Sequence, residues 1–293
     1  NWFNAAVTQH DDALVGQLML GGASASVIET GLVVDGELDS LNLDEWLDWQ
    51  PGVGGSGSSA LAGIDVIDLT LNQVTLAQQQ MTDVELQVRP ALNQWNISIN
   101  SPQVKGDITV PEPFDGYTPL DIRLDYLRLS LSGEKSTTET SSRRSLWPAM
   151  RLDIGEFELD SIRLGRLNLR ANRTANSWVV ESASVESPVM QASLSGNWTQ
   201  TQADERSEFE IIASSDDLKA MLAYYGYQQA IEAQQIQINS QLNWIGEPAD
   251  FSLAGMKGKL NLKVGRGSLI EVEPGAAGRI FGLLSVAAIP RRL

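Results

Sequence analysis

Three short segments carry residue types that could do chemistry, but each lies in surroundings that do not suit it. Residues 52–57 have the glycine spacing of a dinucleotide-binding turn, yet that turn must follow a strand and open a helix. Here a predicted helix and Pro51 precede the glycines, and two serines follow them. Residues 133–137 lack the glycine that directly precedes the lysine of a phosphate loop. His10 stands beside two carboxylates, but successive side chains on an extended segment point in opposite directions. The sequence therefore predicts flexible loops at the two glycine-containing segments and a solvated turn or strand edge at His10.

Composition excludes several further classes of function. The chain has no Cys and one His, so thiolate chemistry, His-rich metal sites and most catalytic triads cannot be built from it. Lys plus Arg number 21 against 37 Asp plus Glu, a net charge of −16 that would repel nucleic acid. We predict no catalytic residue, no cofactor and no metal. A carbohydrate-active enzyme with paired carboxylates is kept as the weakest alternative, since no acidic residue stands in an aromatic-rich apolar context.

The two ends of the chain indicate a piece of a longer protein. The first residues form neither a basic start nor an apolar run, and no stretch of about 20 apolar residues is present. Residues 275–289 would form an amphipathic helix of about 22 Å, which is short of the roughly 30 Å hydrocarbon core of a bilayer. Such a helix either closes the edge of a sheet or dips into a membrane interface. We favour the sheet edge.

Alternation of apolar and polar residues with a period of two is the dominant pattern. Successive side chains on a strand point to opposite faces, so each alternating segment has one apolar and one wet face. A parallel sheet buried on both faces would read as continuous apolar runs instead. The pattern therefore predicts a one-sided antiparallel sheet. The clearest alternating segments are 67–71, 84–88, 95–99, 127–131, 167–170, 236–238 and 260–264.

Other segments interrupt this alternation. Residues 43–49, 214–222 and 274–284 have the start signals and spacing of short helices. Residues 50–60 and 133–145 are rich in small and polar residues and are predicted to be mobile loops. Because alternating strands resume on both sides of each loop, neither is taken as a domain boundary.

A faint internal repeat links two parts of the chain. A shift of 83 residues sets apolar positions of residues 64–110 on those of residues 150–198, and places Trp95 on Trp178. A shift of 86 sets the Ser101–Pro102 pair on Ser187–Pro188. Repetition of a strand-rich unit is typical of a stacked, quasi-one-dimensional sheet. We therefore predict that residues 1–293 are one continuous repeating segment.

Two passages resemble a known family. Residues 164–171, followed by Trp178 and by residues 195–198, resemble a recurring block in the YhdP branch of the AsmA-like proteins. Residues 267–293 are similar to the C-terminal signature of that branch. Together they cover about residues 150–293, and the repeat extends the resemblance back to about residue 64.

The resemblance implies a mainly β fold: a long, strongly curved antiparallel sheet that forms an apolar groove (a β-taco), with a few short capping helices. It implies a bridge-like lipid transport protein of the Gram-negative envelope, which carries phospholipid acyl chains between inner and outer membranes. Such a protein lies in the periplasm and continues into further groove segments and an inner-membrane anchor. Membrane or envelope-protein contacts are expected at its ends. The residues predicted to line the groove are Leu69, Leu71, Leu86, Val88, Ile97, Leu129, Ile154, Leu167, Leu169, Ile238, Leu260 and Leu262.

The same alternation would also build a β-sandwich, in which two apolar faces meet and leave no room for lipid. The alternative hypothesis is therefore an adhesin or envelope scaffold without lipid cargo. Periodicity alone favours the sandwich, and the family resemblance favours the groove.

Overall fold

A computed structural model shows a chain made almost entirely of strands, which divides into two compact units, residues 1–142 and 143–293. Each unit is described by itself. The structure describes residues 3–10, 13–43, 63–76, 79–130, 146–201, 204–227, 231–252 and 254–269.

The described residues of the first unit form eight strands that pair in sequence order, each with the next. Each of the seven alternating segments falls on a strand in one of the two units, and most of these strands extend further than the pattern. The exception is segment 127–131, because β8 ends at Leu129 and residue 131 lies outside the described residues. The eight strands are β1 Phe3–His10, β2 Ala13–Leu20, β3 Leu32–Asn42, β4 Val66–Leu76, β5 Gln79–Ala91, β6 Gln94–Asn100, β7 Val104–Pro111 and β8 Leu120–Leu129.

Where the structure describes it, the second unit has a main sheet of seven strands, one α-helix, a short 3-10 helix at Pro248–Asp250 and a small second sheet. In the main sheet the order is β9 to β13, then β15 and β16, while β14 pairs with β17. The strands are β9 Met150–Leu159, β10 Ile162–Arg173, β11 Ser177–Glu186, β12 Gln191–Gln200, β13 Glu205–Ser215, β14 Ile231–Ala233, β15 Ile236–Ile245, β16 Lys257–Val264 and β17 Gly267–Leu269. The helix, α1, is Leu218–Tyr224.

The predicted fold class is confirmed as mainly β, with the described strands joined into extended sheets. Strict antiparallel pairing is wrong at two places, because β2 pairs with β3 and β3 with β4 in parallel. The alternation rule missed these pairs because their strands keep a wet face, whereas parallel strands are usually covered on both faces. The predicted helix at 214–222 is confirmed, with Asp217 as its N-cap. The predicted helices beyond Leu43 and at 274–284, and the predicted loops 50–60 and 133–145, lie outside the described residues.

One glycine in each unit allows a strand to bend where a side chain would not fit. Gly106 in β7 has φ +148°, and a Cβ there would lie 2.2 Å from the carbonyl oxygen of Arg123 on the neighbouring strand. Gly196 in β12 has φ +153° and would meet Glu208 in the same way, at 2.2 Å. Only glycine adopts this region readily, and such glycines give sheets their curvature.

Strand positions recur between the units at the predicted spacing. β5 begins at Gln79 and β10 at Ile162, 83 residues later (162 − 79). The two Ser–Pro turns also match in detail. Ser101 Oγ accepts a hydrogen bond from the Val104 amide at 3.0 Å, and Ser187 Oγ accepts one from the Met190 amide at 3.0 Å. The same local chemistry thus closes the same strand-to-strand turn in each unit.

Candidate functional site

In the first unit, the pairing register brings apolar side chains of one face into continuous rows that run across all eight strands. Residues directly opposite each other on paired strands share a face, so a chain of partners defines a row. Row 1 consists of Ala5, Leu18, Val34, Ile67, Val88, Ile97, Ile108 and Ile122. Row 2 consists of Phe3, Leu20, Gly36, Leu69, Leu86, Ile99, Gly106 and Leu124. Neither row contains a polar side chain.

The opposite face of the same strands is polar and internally hydrogen-bonded. Gln87 Nε2 donates to Asp68 Oδ2 across β4 and β5 at 3.1 Å. Ser98 Oγ donates to Asp107 Oδ1 across β6 and β7 at 2.6 Å. These cross-strand pairs fix which face meets water, since a one-residue slip would exchange the two faces.

The second unit repeats the arrangement with its seven main strands. Row 3 consists of Leu152, Leu169, Ala183, Leu194, Ile211, Ser240 and Leu260. Row 4 consists of Ile154, Leu167, Val185, Ala192, Ala213, Ile238 and Leu262. Ser240 is the one polar member, and its hydroxyl donates to the Ile211 carbonyl at 3.4 Å. Neither row contains a charged residue.

An aromatic cluster covers the apolar face on one side of rows 3 and 4. We call it the aromatic wall: Leu146, Trp147, Trp178, Trp198, Phe209 and Trp244. The Trp147 ring meets the ring of Trp178 edge-on at 5.1 Å and that of Trp198 at 6.0 Å. Trp178 Nε1 donates to the Pro148 carbonyl at 3.0 Å, which ties the segment before β9 onto β11. Because Trp178 and Trp198 are directly opposite partners on this face, the segment lies over it.

Helix α1 covers the apolar face on the other side of the same two rows. We call this the helical wall: α1 with Ala233 of β14. Leu218, Ala233 and Ile236 form its buried core, with Met221 and Ile238 packed against them. The hydroxyl of Tyr225, just after the helix, lies 3.3 Å from Ser187 Oγ in the turn between β11 and β12. The segment just after the helix therefore reaches the turn between β11 and β12, while the helix itself packs on β14 and β15.

The register brings ten of the twelve predicted lining residues into these rows. Leu71 and Leu129 lie outside them: Leu71 pairs with Leu38 and Val84, and Leu129 ends β8. The ten that the rows bring together are Leu69, Leu86, Val88, Ile97, Ile154, Leu167, Leu169, Ile238, Leu260 and Leu262.

Exposure separates these residues into two groups. Leu71 and Ile154 are 0% exposed, which leaves no surface for a ligand, so packing is their role in this conformation. Leu260 and Leu262 on β16 are 50% and 39% exposed. Most of the remaining predicted residues are partly exposed, as expected for a sheet face without a covering layer.

Sequence reasoning missed the walls. Trp95, Trp178 and Trp198 are buried in strands. The convergence of Trp178 and Trp198 on one place depends on register, which alternation does not encode. The sequence signal for the aromatic wall was the presence of Trp at positions 147, 178 and 198. Because these residues are far apart in the sequence, their presence alone does not show that their rings pack together.

Charged groups in the described residues serve the structure. No group of three or more His, Cys, Asp or Glu that could hold a metal occurs there. The pKa of Asp115 is lowered because its carboxylate accepts hydrogen bonds from the backbone amides of Thr118 and Tyr117. This carboxylate orders the loop between β7 and β8. None of the helices found in the described ranges has the length and apolarity that crossing a bilayer requires.

Comparison with known proteins points to one family. The family model described as "YhdP protein" matches residues 3–293. A relative in Escherichia coli (strain K12), named intermembrane phospholipid transporter YhdP, is 20% identical over 272 residues. The alignment covers 89% of this chain and 21% of the relative, so the chain spans about a fifth of that protein's length. No solved structure shows significant similarity to the chain.

Proposed function

The chain belongs to the YhdP protein family, and from this premise we propose that it is a segment of a bridge-like lipid transport protein. The apolar rows carry the proposal: they give each unit an uncharged, mostly aliphatic path that runs across the strands. Acyl chains of phospholipids would rest on this path while headgroups remain in water.

The energetics suit such a role. A two-tailed lipid has about 28 methylenes, and exposing them to water costs on the order of 20 kcal/mol at about 0.8 kcal/mol each. A row of aliphatic side chains removes most of that cost without chemical bonds. Movement also requires a smooth surface, since a deep specific pocket would hold the lipid in place. Rows of Leu, Ile, Val and Ala at regular strand spacing provide that smoothness.

Location and partners follow from the same proposal. The chain would act as a non-enzymatic element in the periplasm and exchange phospholipid between inner and outer membranes. Further groove segments and an inner-membrane anchor of the same protein would continue it, with membrane or envelope-protein contacts at its ends. The matching strand positions and Ser–Pro turns support a repeating unit that comprises about residues 64–110 and 150–198.

The sandwich hypothesis requires a second sheet over the rows. In the described part of the chain, the only sheet besides the main strands is the two-stranded pair of β14 with β17. That pair lies in the helical wall, at one side of rows 3 and 4. This favours the groove over a scaffold with a closed core.

Lipid carried through purification is the test. The chain, produced in the periplasm of a Gram-negative host and gently extracted, should show bound phospholipid by native mass spectrometry. Ile97→Asp in row 1 should lose most of it, because a carboxylate would then face the tails. Asn96→Asp on the wet face is the matched control and should keep it. A compact, lipid-free particle would support the scaffold instead.

A further inference from the structure

Between the two walls, the apolar face of the second unit forms a strip made of rows 3 and 4. The strip is long in the direction across the strands and short in the direction along them. Rows 3 and 4 lie two residues apart on every strand, which corresponds to about 7 Å. Allowing about 4 Å for the contact distance between packed carbon atoms, the strip is about 11 Å wide. Across the seven strands, at about 4.8 Å per strand, row 3 is about 29 Å long. In row 4 the β9 residue, Ile154, is fully buried, so the open part of that row spans six strands, or about 24 Å.

Both walls are fixed by contacts that hold them at this width. On one side, Arg173 donates to the Leu146 carbonyl at 2.9 Å and Trp198 Nε1 to Glu205 Oε1 at 3.1 Å. On the other side, Leu218 of α1 packs in one buried cluster with Ile236 of β15, and Asp217 completes the helix by accepting from the Ala220 amide at 2.9 Å. Neighbouring positions beyond the rows are buried on the inner strands, as Val180 on β11 and Ile236 on β15 are 3% and 6% exposed. On the edge strand β16, Val264 is 48% exposed, so the walls bound the strip on the inner strands and not on β16.

An acyl chain fits this strip in one direction only. Half of a bilayer's hydrocarbon core is about 15 Å, which approximates the length of one tail. A tail laid parallel to the strands would therefore run into a wall, whereas a tail laid along a row has about twice the length it needs. The strip has no charged side chain, so nothing along a row interrupts an uncharged chain.

From these dimensions, and resting on the proposed function, we infer that acyl chains lie along rows 3 and 4, across the strands, with two chains abreast. Each chain lies over one row, and the spacing of about 7 Å leaves room for two carbon chains in contact. The cargo that matches the strip is a lipid with two tails, travelling with its tails parallel to the direction of transport. The two walls are then the determinants of cargo width.

The absence of cysteine from the sequence makes a direct test available. Leu194 lies at the centre of row 3, three strands from Leu152 in one direction and three strands from Leu260 in the other. Leu194→Cys can be coupled through a disulfide to a chain of about 14 carbons that bears a photoreactive diazirine at its far end. Illumination and peptide mass spectrometry then locate that end.

The inference predicts adducts at Leu152 and Leu260, about 14 Å from the tether along the row. Adducts at Met190, just before β12, or at Trp198 within it, each four residues from Leu194 along the chain, would overturn the orientation alone. If the tethered carbon chain formed no adduct with the protein at all, the proposed function would be overturned as well, because the carbon chain would then prefer solvent to the rows. Ser193→Cys, on the wet face, is the control and should give no adduct in rows 3 or 4.

Ala192→Cys at the centre of row 4 gives an independent reading with a smaller change of side chain. Its far-end adducts are expected at Leu262 and near Ile154. The double variant should accept two chains, each labelling its own row. The inference that two acyl chains lie side by side would be wrong in either of two cases. In the first, a carbon chain tethered in one row prevents a second from occupying the other row. In the second, each tethered chain labels both rows equally.

Discussion

Substituting Leu167 by glutamate tests the rows quantitatively. Leu167 lies in row 4 between Ile154 and Val185 and is partly exposed, so the glutamate can reach water when lipid is absent. When a tail covers this position, the carboxylate must either lose its hydration or take up a proton. Protonation is the cheaper route, because burying an unpaired charge costs several kcal/mol or more.

The cost of protonation sets the expected magnitude. For a glutamate with its ordinary pKa of about 4.3, protonation costs about 3.7 kcal/mol at pH 7, or about 500-fold in lipid affinity. At pH 5 it costs about 1 kcal/mol, or about fivefold. Lipid binding by the Leu167→Glu variant should therefore be weak at neutral pH and recover by up to about 100-fold on acidification. The affinity of the unmodified chain should change far less over this range.

The assay is equilibrium binding of a fluorescent phospholipid to the purified chain at several pH values. Asn168→Glu is the control, since Asn168 is the next residue on the same strand and pairs with Asp153 on the wet face. It should bind as the unmodified chain does. Thermal unfolding without lipid must be similar for both variants. Equal losses in both variants, or a loss with Leu167→Glu that ignores pH, would refute the assignment of faces.

Three further predictions concern the scaffold. Gly106→Ala should lower the free energy of unfolding by about 2 kcal/mol or more, since its backbone conformation is almost exclusive to glycine and the Cβ would meet the Arg123 carbonyl; chemical denaturation measures this, and an unchanged midpoint would contradict it. Asp217→Ala should cost α1 about 1 kcal/mol through loss of its N-cap, visible as faster amide hydrogen exchange in the helix while β12 is unchanged. The carboxylate of Asp115 has a lowered pKa, so its contribution to loop order is present above its ordinary pKa and is lost as the pH falls through the lowered value; NMR titration should show a midpoint below 3.8, and a midpoint at or above that value would be inconsistent with these hydrogen bonds.

Much of the sheet could be predicted because the alternation of apolar and polar residues along each strand shows which of its faces meets water. Segments such as 84–88 and 95–99 alternate strictly, and the structure places both in adjacent strands with the apolar residues opposite each other. One-sided solvation makes this possible, since each strand must present one face to water. The same reasoning identified ten of the residues that fall into rows 1 to 4.

What could not be predicted depends on contacts between distant residues. The parallel pairing of β3 with β4 depends on the direction in which the two strands meet, which side-chain alternation does not specify. The aromatic wall needs Trp147, Trp178 and Trp198 to meet across three separate parts of the chain. The burial of Leu71 and Ile154 also depends on neighbouring strands, so alternation assigns them to the correct face without showing that they are inaccessible.

Site-specific photo-crosslinking in the envelope tests the lipid path most directly. A photoreactive amino acid at Leu86, which is partly exposed in row 2, should form phospholipid adducts in growing cells. The same amino acid at Gln87, one residue along β5 on the wet face, should form none or far fewer. Equal adducts at both positions, or none at Leu86, would contradict the assignment of rows 1 to 4 as the surface that carries lipid.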